Sequence, residues 1–300
     1  MEEIGILEDV IIGAVTNYGI DQLKPYVLSL KQSGFKGTKL MVCYNIRFDT
    51  AQFLQENGFK LCVFEKNDQH QQFYFAGYPQ FNICVDRFYH MWQFLNQELQ
   101  QNPDKKYRYL FSFDTGDVIF QSNPSIALEN MNLENTNKKI VATTESLYYR
   151  DESLWGRQNM ISSFGMPVYD HMKDRLIYNA GSLAGNFMTI KDMMLTIFEM
   201  CQGYKTPNPD QAAYNLLLSL EPYKSLVHTV MSEDGFACEL GTTYDPAKMG
   251  AFKHLLVEPS PIYDEANNQF ITNQTKKPYA IVHQYNRMHD IFAKLVNRYK

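Results

Sequence analysis

Short apolar runs alternate with helical patterns over the first 120 residues, and this alternation restricts the fold more than any other feature. The run DVIIGAV, from Asp9 to Val15, is rich in β-branched residues and closes on a turn-like Asn-Tyr-Gly, so it predicts a buried strand. A helical pattern follows, with Asp21 as its N-cap, Pro25 in its first turn and Gly34 at its end. Strands that alternate with helices need crossover connections, which produce a mostly parallel sheet flanked by helices. We therefore predict an α/β fold.

The same alternation continues further along the chain. The runs KLMVCY and KLCVF predict two more strands, on either side of a helix that is capped by Asp49 and ends at Gly58. From Ile83 onward, ICVDRFYHMWQFL places its large apolar side chains on one helical stripe. That helix leads into YRYLFSF, a nearly continuous apolar run of the kind that strands buried on both faces show.

Two aspartates, Asp114 and Asp117, follow this apolar run at once, and Gly116 between them lets the backbone bend. The carboxyl ends of strands are where open α/β sheets bind ligands. Two carboxylates at such a position form an oxygen-rich site suited to Mg²⁺ or Mn²⁺, which usually bridge to substrate phosphates. The alternative is structural, because Asp-Thr-Gly also favours a tight turn that an aspartate caps.

The second half of the chain is less regular. KKIVATTESLYYR predicts a strand, and residues 151–175 show few periodic signals, which predicts a loop-rich functional insertion. LIYNAGSLAGNFMTI predicts a strand, a turn of small residues and a second strand. Two helices, a short late strand in PYAIVHQYNR and a closing helix in RMHDIFAKLVNRY follow. Since no repeat or Pro/Gly/Ser linker separates two domains, we expect one domain over residues 1–300.

Composition argues against several classes of protein. A net charge of −5 without a long Lys/Arg block argues against a nucleic-acid binder. No apolar run is long enough for a transmembrane helix, and the N-terminus is acidic where a signal peptide is basic. The five cysteines form no CxxC pair, which favours thiols in a reducing compartment. We expect a cytosolic protein, and the mildly basic C-terminal AKLVNRYK leaves peripheral membrane contact open.

Further motifs accompany the aspartates in a fixed order. They are the helix DRFYHMWQFL with Arg87, the triplet Asn179-Ala180-Gly181, DQAAYN from Asp210, and a late histidine, His283. Together with LFSFDTGDVIF, this set resembles the nucleotide-sugar glycosyltransferases of GT-A type, in particular the glycogenin-like and lipopolysaccharide-galactosyltransferase-like enzymes. The resemblance implies a GT-A-like fold, with a nucleotide-binding half over about residues 9–122 and an acceptor and sugar half over about residues 139–300.

The resemblance also implies an activity and a set of site residues. It implies transfer of a sugar from a UDP- or GDP-sugar donor to a glycan or other hydroxyl acceptor, with Mn²⁺ or Mg²⁺ as cofactor. The implied metal ligands are Asp114, Asp117 and His283. The implied nucleotide contacts are Thr16, Asn17, Tyr18, Arg87 and Asp114. The implied catalytic residues of the sugar pocket are Asn179, Asp210 and Gln211. The family's two aspartates are separated by one residue, whereas these are separated by two, so direct ligation by both stays open.

Each of these residues has a structural alternative. Arg87 could pair with Asp86 or another carboxylate at the surface, and Asn208 to Gln211 has the pattern of a helix-capping box. His283 could be an ordinary half-buried histidine, and Asn179-Ala180-Gly181 a turn. Trp155 either stacks on an acceptor sugar or fixes its own loop.

The stereochemistry and the class of protein also have alternatives. The resemblance favours retention, which needs no protein base, whereas an inverting enzyme would need a carboxylate such as Asp210, Glu145, Asp151 or Asp170. A catalytically silent nucleotide- or glycan-binding module is the main competing function. The loop AVTNYGIDQL lacks the Gly- and Arg-rich series of sugar-phosphate nucleotidyltransferases and the G-x-G-x-x-G of dinucleotide-binding dehydrogenases.

Overall fold

The computed structural model describes residues 7–64, 82–203, 206 and 208–299. Its first part alternates strands and helices, as the sequence predicts. In chain order it contains β1 (Leu7–Thr16), α1 (Ile20–Gln32), β2 (Thr38–Tyr44), α2 (Phe48–Glu56), β3 (Phe59–Phe64), α3 (Ile83–Gln101), β4 (Lys106–Phe113), β5 (Val118–Phe120) and α4 (Pro124–Glu129). The predicted N-caps Asp21 and Asp49 lie instead in the first turns of α1 and α2, where a carboxylate favours the positive end of the helix dipole.

The remaining described elements are shorter and more varied. They are β6 (Ile140–Tyr148), α5 (Gly156–Phe164), α6 (Met166–Met172), β7 (Leu176–Asn186), α7 (Phe187–Met200), α8 (Pro209–Leu218), α9 (Tyr223–Leu226), β8 (Val227–Val230), β9 (Ala237–Glu239), α10 (Leu240–Thr243), α11 (Pro246–Phe252), β10 (Ile262–Asp264), β11 (Gln269–Ile271), β12 (Ile281–His283) and α12 (His289–Asn297). Single 3₁₀ turns lie at Leu133–Asn135, Ser232–Asp234 and Tyr285–Arg287.

Among the described residues, seven strands form the central sheet in the order β3-β2-β1-β4-β7-β6-β8. The strands β3, β2, β1 and β4 are parallel to one another, and β6 is parallel to β8. Only β7 within this sheet runs antiparallel to its neighbours, β4 and β6. The prediction of an α/β fold with a mostly parallel central sheet is therefore confirmed.

Helices cover both faces of the sheet. Successive residues of a strand point to opposite faces, and in β1 the buried Val10 and Ile12 pack with side chains of α3 and α7. Ile11, between them, packs on the other face with side chains of α1. Because both faces are covered, the carboxyl ends of the parallel strands are the edge at which polar side chains can meet a ligand.

Residues 151–175 contain two helices, so the predicted loop-rich insertion is wrong. Both helices are short, and α5 carries no strong apolar stripe that a sequence pattern could reveal. Met160 of α5 and Met172 of α6 are buried in a cluster that also contains Phe252, which lies far along the chain. Packing of this kind stabilises helices that local sequence preference alone does not specify.

LIYNAGSLAGN forms one continuous strand, β7, and not the predicted strand, turn and strand. The helix α7 then begins at Phe187, in the segment predicted as the second strand. The backbone stays extended because β7 pairs on both sides, with Ser182 opposite Phe113 of β4 and Leu183 opposite Ala142 of β6. The small residues serve a packing role, described below.

A second, three-stranded sheet in the described part of the chain has the order β5-β12-β9. In it, β12 pairs antiparallel with β5, so that His283 lies opposite Val118, the residue after Asp117. On its other side β12 pairs parallel with β9, which sets His283 opposite Glu239. This sheet brings the late histidine to the carboxyl end of β4. No helix in the described ranges combines the length and the apolar character needed to span a bilayer.

Candidate active site and metal centre

Asp114 and Asp117 lie at the carboxyl end of β4, where the sequence predicts them. The Asp114 backbone N–H donates to the carbonyl oxygen of Gly181 on β7, at 2.9 Å. The Asp117 carbonyl oxygen accepts from the backbone N–H of Gln284, which follows β12, at 2.7 Å. Both aspartates are therefore fixed through their backbones to the elements that carry the other site residues.

His283 completes a cluster with these aspartates. Its Nε2 lies 3.6 Å from Asp114 Oδ2 and 3.5 Å from Asp117 Oδ1. Ligand atoms of the three residues all lie within 4.8 Å of one another. The imidazole is only 1% exposed, and its Nε2 has no hydrogen-bond partner. Two carboxylates and a buried, unpaired ring nitrogen converge here, which is a donor set that fits a divalent cation.

Glu239 orients this histidine, although no sequence motif marks it. His283 Nδ1 donates to Glu239 Oε2 at 2.6 Å, and Glu239 Oε1 accepts from Thr143 Oγ1 at 2.9 Å. Since a carboxylate only accepts, Nδ1 carries a proton, and in the neutral imidazole the Nε2 lone pair faces the aspartates. Burial lowers the pKa of His283, but the charges of Glu239 and Asp117 outweigh it and raise that pKa well above its ordinary value. Without a cation Nε2 is therefore protonated as well, and a bound cation would replace that proton.

Gly181 explains the small residues of β7. A Cβ at this position would lie 2.6 Å from Asp114 Oδ2 and 2.7 Å from His283 Cε1. These distances are too short for any side chain, so glycine is required for β7 to pack against the aspartates. Asn179-Ala180-Gly181 is therefore a strand segment shaped by close contact, and the turn interpretation of this motif is wrong.

Arg87 connects two carboxylates of the site. Its Nη1 donates to Asp114 Oδ1 at 2.5 Å, and its Nη2 donates to Asp210 Oδ2 at 3.3 Å. Burial raises the pKa of Asp114, but the charges of Arg87 and His283 outweigh burial and hold that pKa well below its usual range. Asp86, the proposed surface partner, instead accepts from the backbone N–H of Asn82. Arg87 therefore pairs with two other carboxylates and not with Asp86, and its side chain is largely buried and not at the surface.

Asn179 and Gln211 meet at a buried carboxylate, Glu145. Glu145 Oε1 accepts from Asn179 Nδ2 and from Gln211 Nε2, both at 3.0 Å. Gln211 Oε1 accepts from the Ala180 backbone N–H at 2.7 Å, and Asn179 Oδ1 accepts from that of Gly181 at 2.7 Å. Burial, with nearby carboxylate charges, raises the pKa of Glu145 to about 7. Each amide oxygen and nitrogen already has one protein partner, so the two amides fix each other and Glu145.

The capping-box interpretation of Gln211 is therefore wrong. Asn208 is the N-cap of α8, but its side chain makes no capping hydrogen bond, and the Gln211 amide points to β6 and β7. Its neighbour Asp210 is 5% exposed, and its Oδ1 has no hydrogen-bond partner. Burial and the charge of Asp114 raise the pKa of Asp210, whereas Arg87 lowers it. An unpaired buried carboxylate oxygen is suited to accept a hydrogen bond from a ligand hydroxyl.

Two cavities lie beside these residues. The smaller cavity, of about 240 Å³, is bounded by the ends of β1 and β4 and the start of α3; its lining includes Thr16, Tyr18, Arg87, Asp114 and Asp117. The larger cavity, of about 560 Å³, includes the remaining predicted residues: Asn179, Asp210, Gln211 and His283. Arg87, Asp114 and Cys84 line both cavities. The structure thus brings the implied nucleotide, metal and sugar residues into one continuous region.

Asn17 is the exception among the predicted site residues. It is absent from the lining of both cavities, and its Oδ1 accepts a hydrogen bond from Asn45 Nδ2 at 2.5 Å. Its φ of 56° is in the left-handed region, which asparagine tolerates better than most residues. Asn17 shapes the turn after β1, while its neighbours Thr16 and Tyr18 line the cavity.

Lys248 and Arg287 also line the larger cavity, and the sequence analysis did not select them. Within the described ranges neither side chain forms an ion pair with a carboxylate. Lys248 lies on the short helix α11, and Arg287 in a 3₁₀ turn, so neither belongs to a motif with a recognisable spacing. Only their position in the folded chain marks them.

No protein-family model matches the sequence, and no curated protein sequence matches it significantly. Solved structures do share its fold. The bifunctional glycosyltransferase WbbM, in its apo form, is 10% identical with a TM-score of 0.56, over 99% of this chain and 50% of WbbM. This chain thus spans half the length of WbbM. The galactosyltransferase LgtC, in complex with donor and acceptor sugar analogues, is 16% identical with a TM-score of 0.52, over 97% of this chain and 96% of LgtC. The fold is therefore the GT-A fold of these glycosyltransferases, as the sequence predicts.

Proposed function

We propose that this protein is a metal-dependent glycosyltransferase that moves a sugar from a nucleotide-diphospho-sugar to a glycan or other hydroxyl acceptor. The observation that carries the proposal is the convergence of Asp114, Asp117 and His283 between two cavities. The fold shared with WbbM and LgtC, and the sugar analogues bound by LgtC, support it. A single domain over residues 1–300 and a cytosolic location, suggested by free cysteines, belong to the same proposal.

Asp114, Asp117 and His283 would hold the cation, Mn²⁺ or Mg²⁺. The unpaired Nε2 of His283 and the two carboxylates fit this role, and an imidazole ligand suits Mn²⁺ better than Mg²⁺. When bound, a divalent cation supplies Lewis-acid stabilisation of the charge that develops on a diphosphate leaving group.

The smaller cavity would hold the nucleoside part of the donor, UDP or GDP. The Tyr18 ring packs over Gly116, where a Cβ would lie 2.6 Å from the Tyr18 hydroxyl oxygen, and it offers a face for a base or ribose. Thr16 supplies a hydroxyl on the same wall. Arg87, at the boundary of both cavities, would donate to the diphosphate and neutralise its charge.

The larger cavity would hold the transferred sugar and the acceptor. Asp210 Oδ1 would accept from a sugar hydroxyl, and Asn179 and Gln211, fixed by Glu145, would each offer a remaining N–H. Lys248, on α11, and Arg287, in the 3₁₀ turn after β12, add positive charge to the lining of this cavity. This arrangement orients the anomeric carbon with groups that are already held in place.

We propose that the reaction retains configuration, with the leaving diphosphate accepting the proton of the acceptor hydroxyl. Among the candidate bases for inversion, Asp151 and Asp170 do not line the larger cavity, whereas Asp210 and Glu145 do. Arg87 pairs with Asp210, whereas burial and nearby carboxylates raise the pKa of Glu145 to about 7, so Glu145 is the carboxyl that an inverting reaction would use as its base.

A thermal-shift panel tests the proposal. UDP- and GDP-sugars would be added with Mn²⁺ and with chelator, and the melting temperature recorded. A bound donor raises the melting temperature by mass action, and we expect a shift that depends on Mn²⁺. A shift without turnover of any donor would favour the silent binding module. The absence of any shift across the panel would contradict the proposal.

A further inference from the structure

Two apolar side chains at the rim of the larger cavity take no part in the core. Leu154 is 57% exposed and Trp155 is 40% exposed, and both line the cavity that Asp210 and Gln211 also line. Neither side chain belongs to the hydrophobic clusters formed by the described residues. The interpretation of Trp155 as a residue that fixes its own loop therefore lacks the packing that it would need.

The other tryptophan, Trp92, lies against the core and not at the rim of this cavity. The chain contains only two tryptophans, and Trp92, which lies on α3, packs against the core cluster that includes side chains of α3 and α7. Trp155 has a large apolar ring in solvent at the mouth of a cavity, and no described residue accepts a hydrogen bond from its indole N–H. A large exposed aromatic ring with a free polar edge is typical of a binding surface.

A buried carboxylate fixes the turn that presents this ring. Glu152 is 2% exposed, and its Oε2 accepts from the backbone N–H of Trp155 at 3.0 Å and also from that of Gly156. Burial of a carboxylate is unfavourable unless strong hydrogen bonds compensate. Here those bonds hold the first turn of α5, so the position of the Trp155 backbone is set before any ligand binds.

We propose that Leu154 and Trp155 form a platform that binds a pyranose ring of the acceptor. A pyranose has an apolar face of C–H groups and a rim of hydroxyls, which matches a cavity with an aromatic wall and a few polar groups. The polar groups on the same lining include Asn208, Thr242 and Lys248, which would bind the rim hydroxyls. The inference rests on the proposed function, since it names the acceptor class of that site.

Tryptophan fluorescence tests the platform. The emission of the parent minus that of Trp155→Phe isolates Trp155, because Trp92 is common to both. Methyl β-D-galactopyranoside, methyl β-D-glucopyranoside and lactose are the probes, and sorbitol, which has hydroxyls but no ring face, is the control ligand. We expect at least one pyranose to quench or shift the Trp155 emission with saturation, and sorbitol to have no effect.

Variants separate stacking from folding. By saturation-transfer NMR, Trp155→Ala should bind the same pyranose about tenfold more weakly, because it removes the aromatic face against which the pyranose packs. Trp155→Phe should stay within about threefold of the parent, since it keeps an aromatic face. Met188→Ala is the matched control, because Met188 is also an exposed apolar side chain but lies at the start of α7, away from the cavity. Circular dichroism checks that each variant is folded.

Several outcomes would overturn the platform. They are no effect of any pyranose on Trp155, an equal effect of sorbitol, or Trp155→Ala affinity equal to that of the parent. Binding of UDP and GDP to the parent, in the presence of Mn²⁺, is measured separately by calorimetry. Nucleotide binding without pyranose binding overturns the platform alone, whereas pyranose binding without nucleotide binding supports the platform and contradicts the proposed function.

Discussion

The two cavities of the site are built in different ways. The smaller is lined mainly by three short runs of sequence, at the end of β1, at the start of α3 and directly after β4. The larger is lined by residues from many separate segments between Cys84 and Arg287. Arg87 and Asp114 belong to both.

The two cavities also differ in the buried carboxyl groups around them. The walls of the larger cavity or the residues just behind them include four buried carboxyl groups, at Glu145, Glu152, Asp210 and Glu239. Buried carboxylates are costly and must be satisfied by specific donors. The smaller cavity is thus determined by the regular parallel sheet, whereas the larger cavity depends on a polar network that joins distant segments.

The largest effect should follow from removing one of the proposed metal ligands, which lie where the two cavities meet. Asp117→Asn keeps the side-chain shape but removes the charge that a cation needs, and we expect sugar transfer to fall by on the order of 10³-fold, because metal catalysis supplies several kcal/mol. Steady-state transfer assays measure it. Asp104→Asn is the matched control, because Asp104 is an exposed aspartate in the turn before β4. The double variant with His283→Ala should be scarcely worse than either single one; additive losses would contradict a common metal site.

Arg87→Ala should weaken ligand binding, because Arg87 lines both cavities. Loss of a charge-assisted hydrogen bond costs about 1.5–3 kcal/mol, so nucleoside diphosphate should bind roughly 10- to 100-fold more weakly. Calorimetry with UDP and GDP measures it, and Arg150→Ala, which removes an exposed guanidinium paired with Asp174, is the control. Unchanged affinity in Arg87→Ala would show that Arg87 serves the structure only.

Glu239→Gln tests the difference between the cavities, because Glu239 belongs to the polar network behind the larger cavity and does not line the smaller one. We expect Mn²⁺ affinity, measured by electron paramagnetic resonance, to fall roughly 10- to 100-fold, as for other carboxylates that orient a ligating histidine. Thr143→Val removes the other hydrogen bond of Glu239 and should have a smaller effect. If both variants bind Mn²⁺ as the parent does, Glu239 does not orient the metal site.

The smallest effect concerns stability. The pKa of Glu145 is raised from 4.5 to about 7, so between these pH values the native protein binds more protons than the unfolded chain. The parent therefore loses stability as pH rises through this window, whereas Glu145→Gln lacks this contribution. Relative to the parent, the unfolding free energy of Glu145→Gln should rise by roughly 1–3 kcal/mol from pH 4.5 to 7, since one pKa unit is about 1.4 kcal/mol.

Urea unfolding at several pH values measures this difference. Glu56→Gln is the control, because Glu56 is an exposed carboxylate on α2, and its difference from the parent should not change across the window. A flat difference for Glu145→Gln would show that the network holds Glu145 as an ordinary carboxylate.

The sequence predicts much of the lining of the smaller cavity for a physical reason. Hydrophobic periodicity locates β1, α3 and β4, and polar residues that follow buried strands must gather at one edge of a parallel sheet. Asp114 and Asp117 follow from this rule, whereas Thr16, Tyr18 and Arg87 are implied by the family resemblance and line the same cavity in the structure. Asn17 lies in the same stretch, but the alternation cannot tell which side chain of a turn faces the cavity and which pairs with Asn45.

The lining of the larger cavity and the residues behind it could be predicted only in part. Glu239 lies on a strand of three residues and meets Thr143, which is 96 positions away, so no local pattern marks it. The sequence around Gln211 fits a capping box, and the sequence around Gly181 fits a turn. Local rules alone do not distinguish these motifs from the roles that the two residues have in the fold. Tertiary contacts with Glu145, Asp114 and His283 determine their actual roles, and such contacts cannot be inferred from the spacing of residues in the sequence.

The central claim is that the shared boundary of the two cavities binds a cation and activates a nucleotide-sugar. Release of nucleoside diphosphate from a panel of UDP- and GDP-sugars, with lactose and other glycans as acceptors, tests it most directly. We expect the parent to release nucleoside diphosphate from at least one donor with Mn²⁺, to stop when chelator is added, and to resume when Mn²⁺ is restored. Release that continues at the same rate in chelator, or no release from any donor with Mn²⁺ present, would contradict the account.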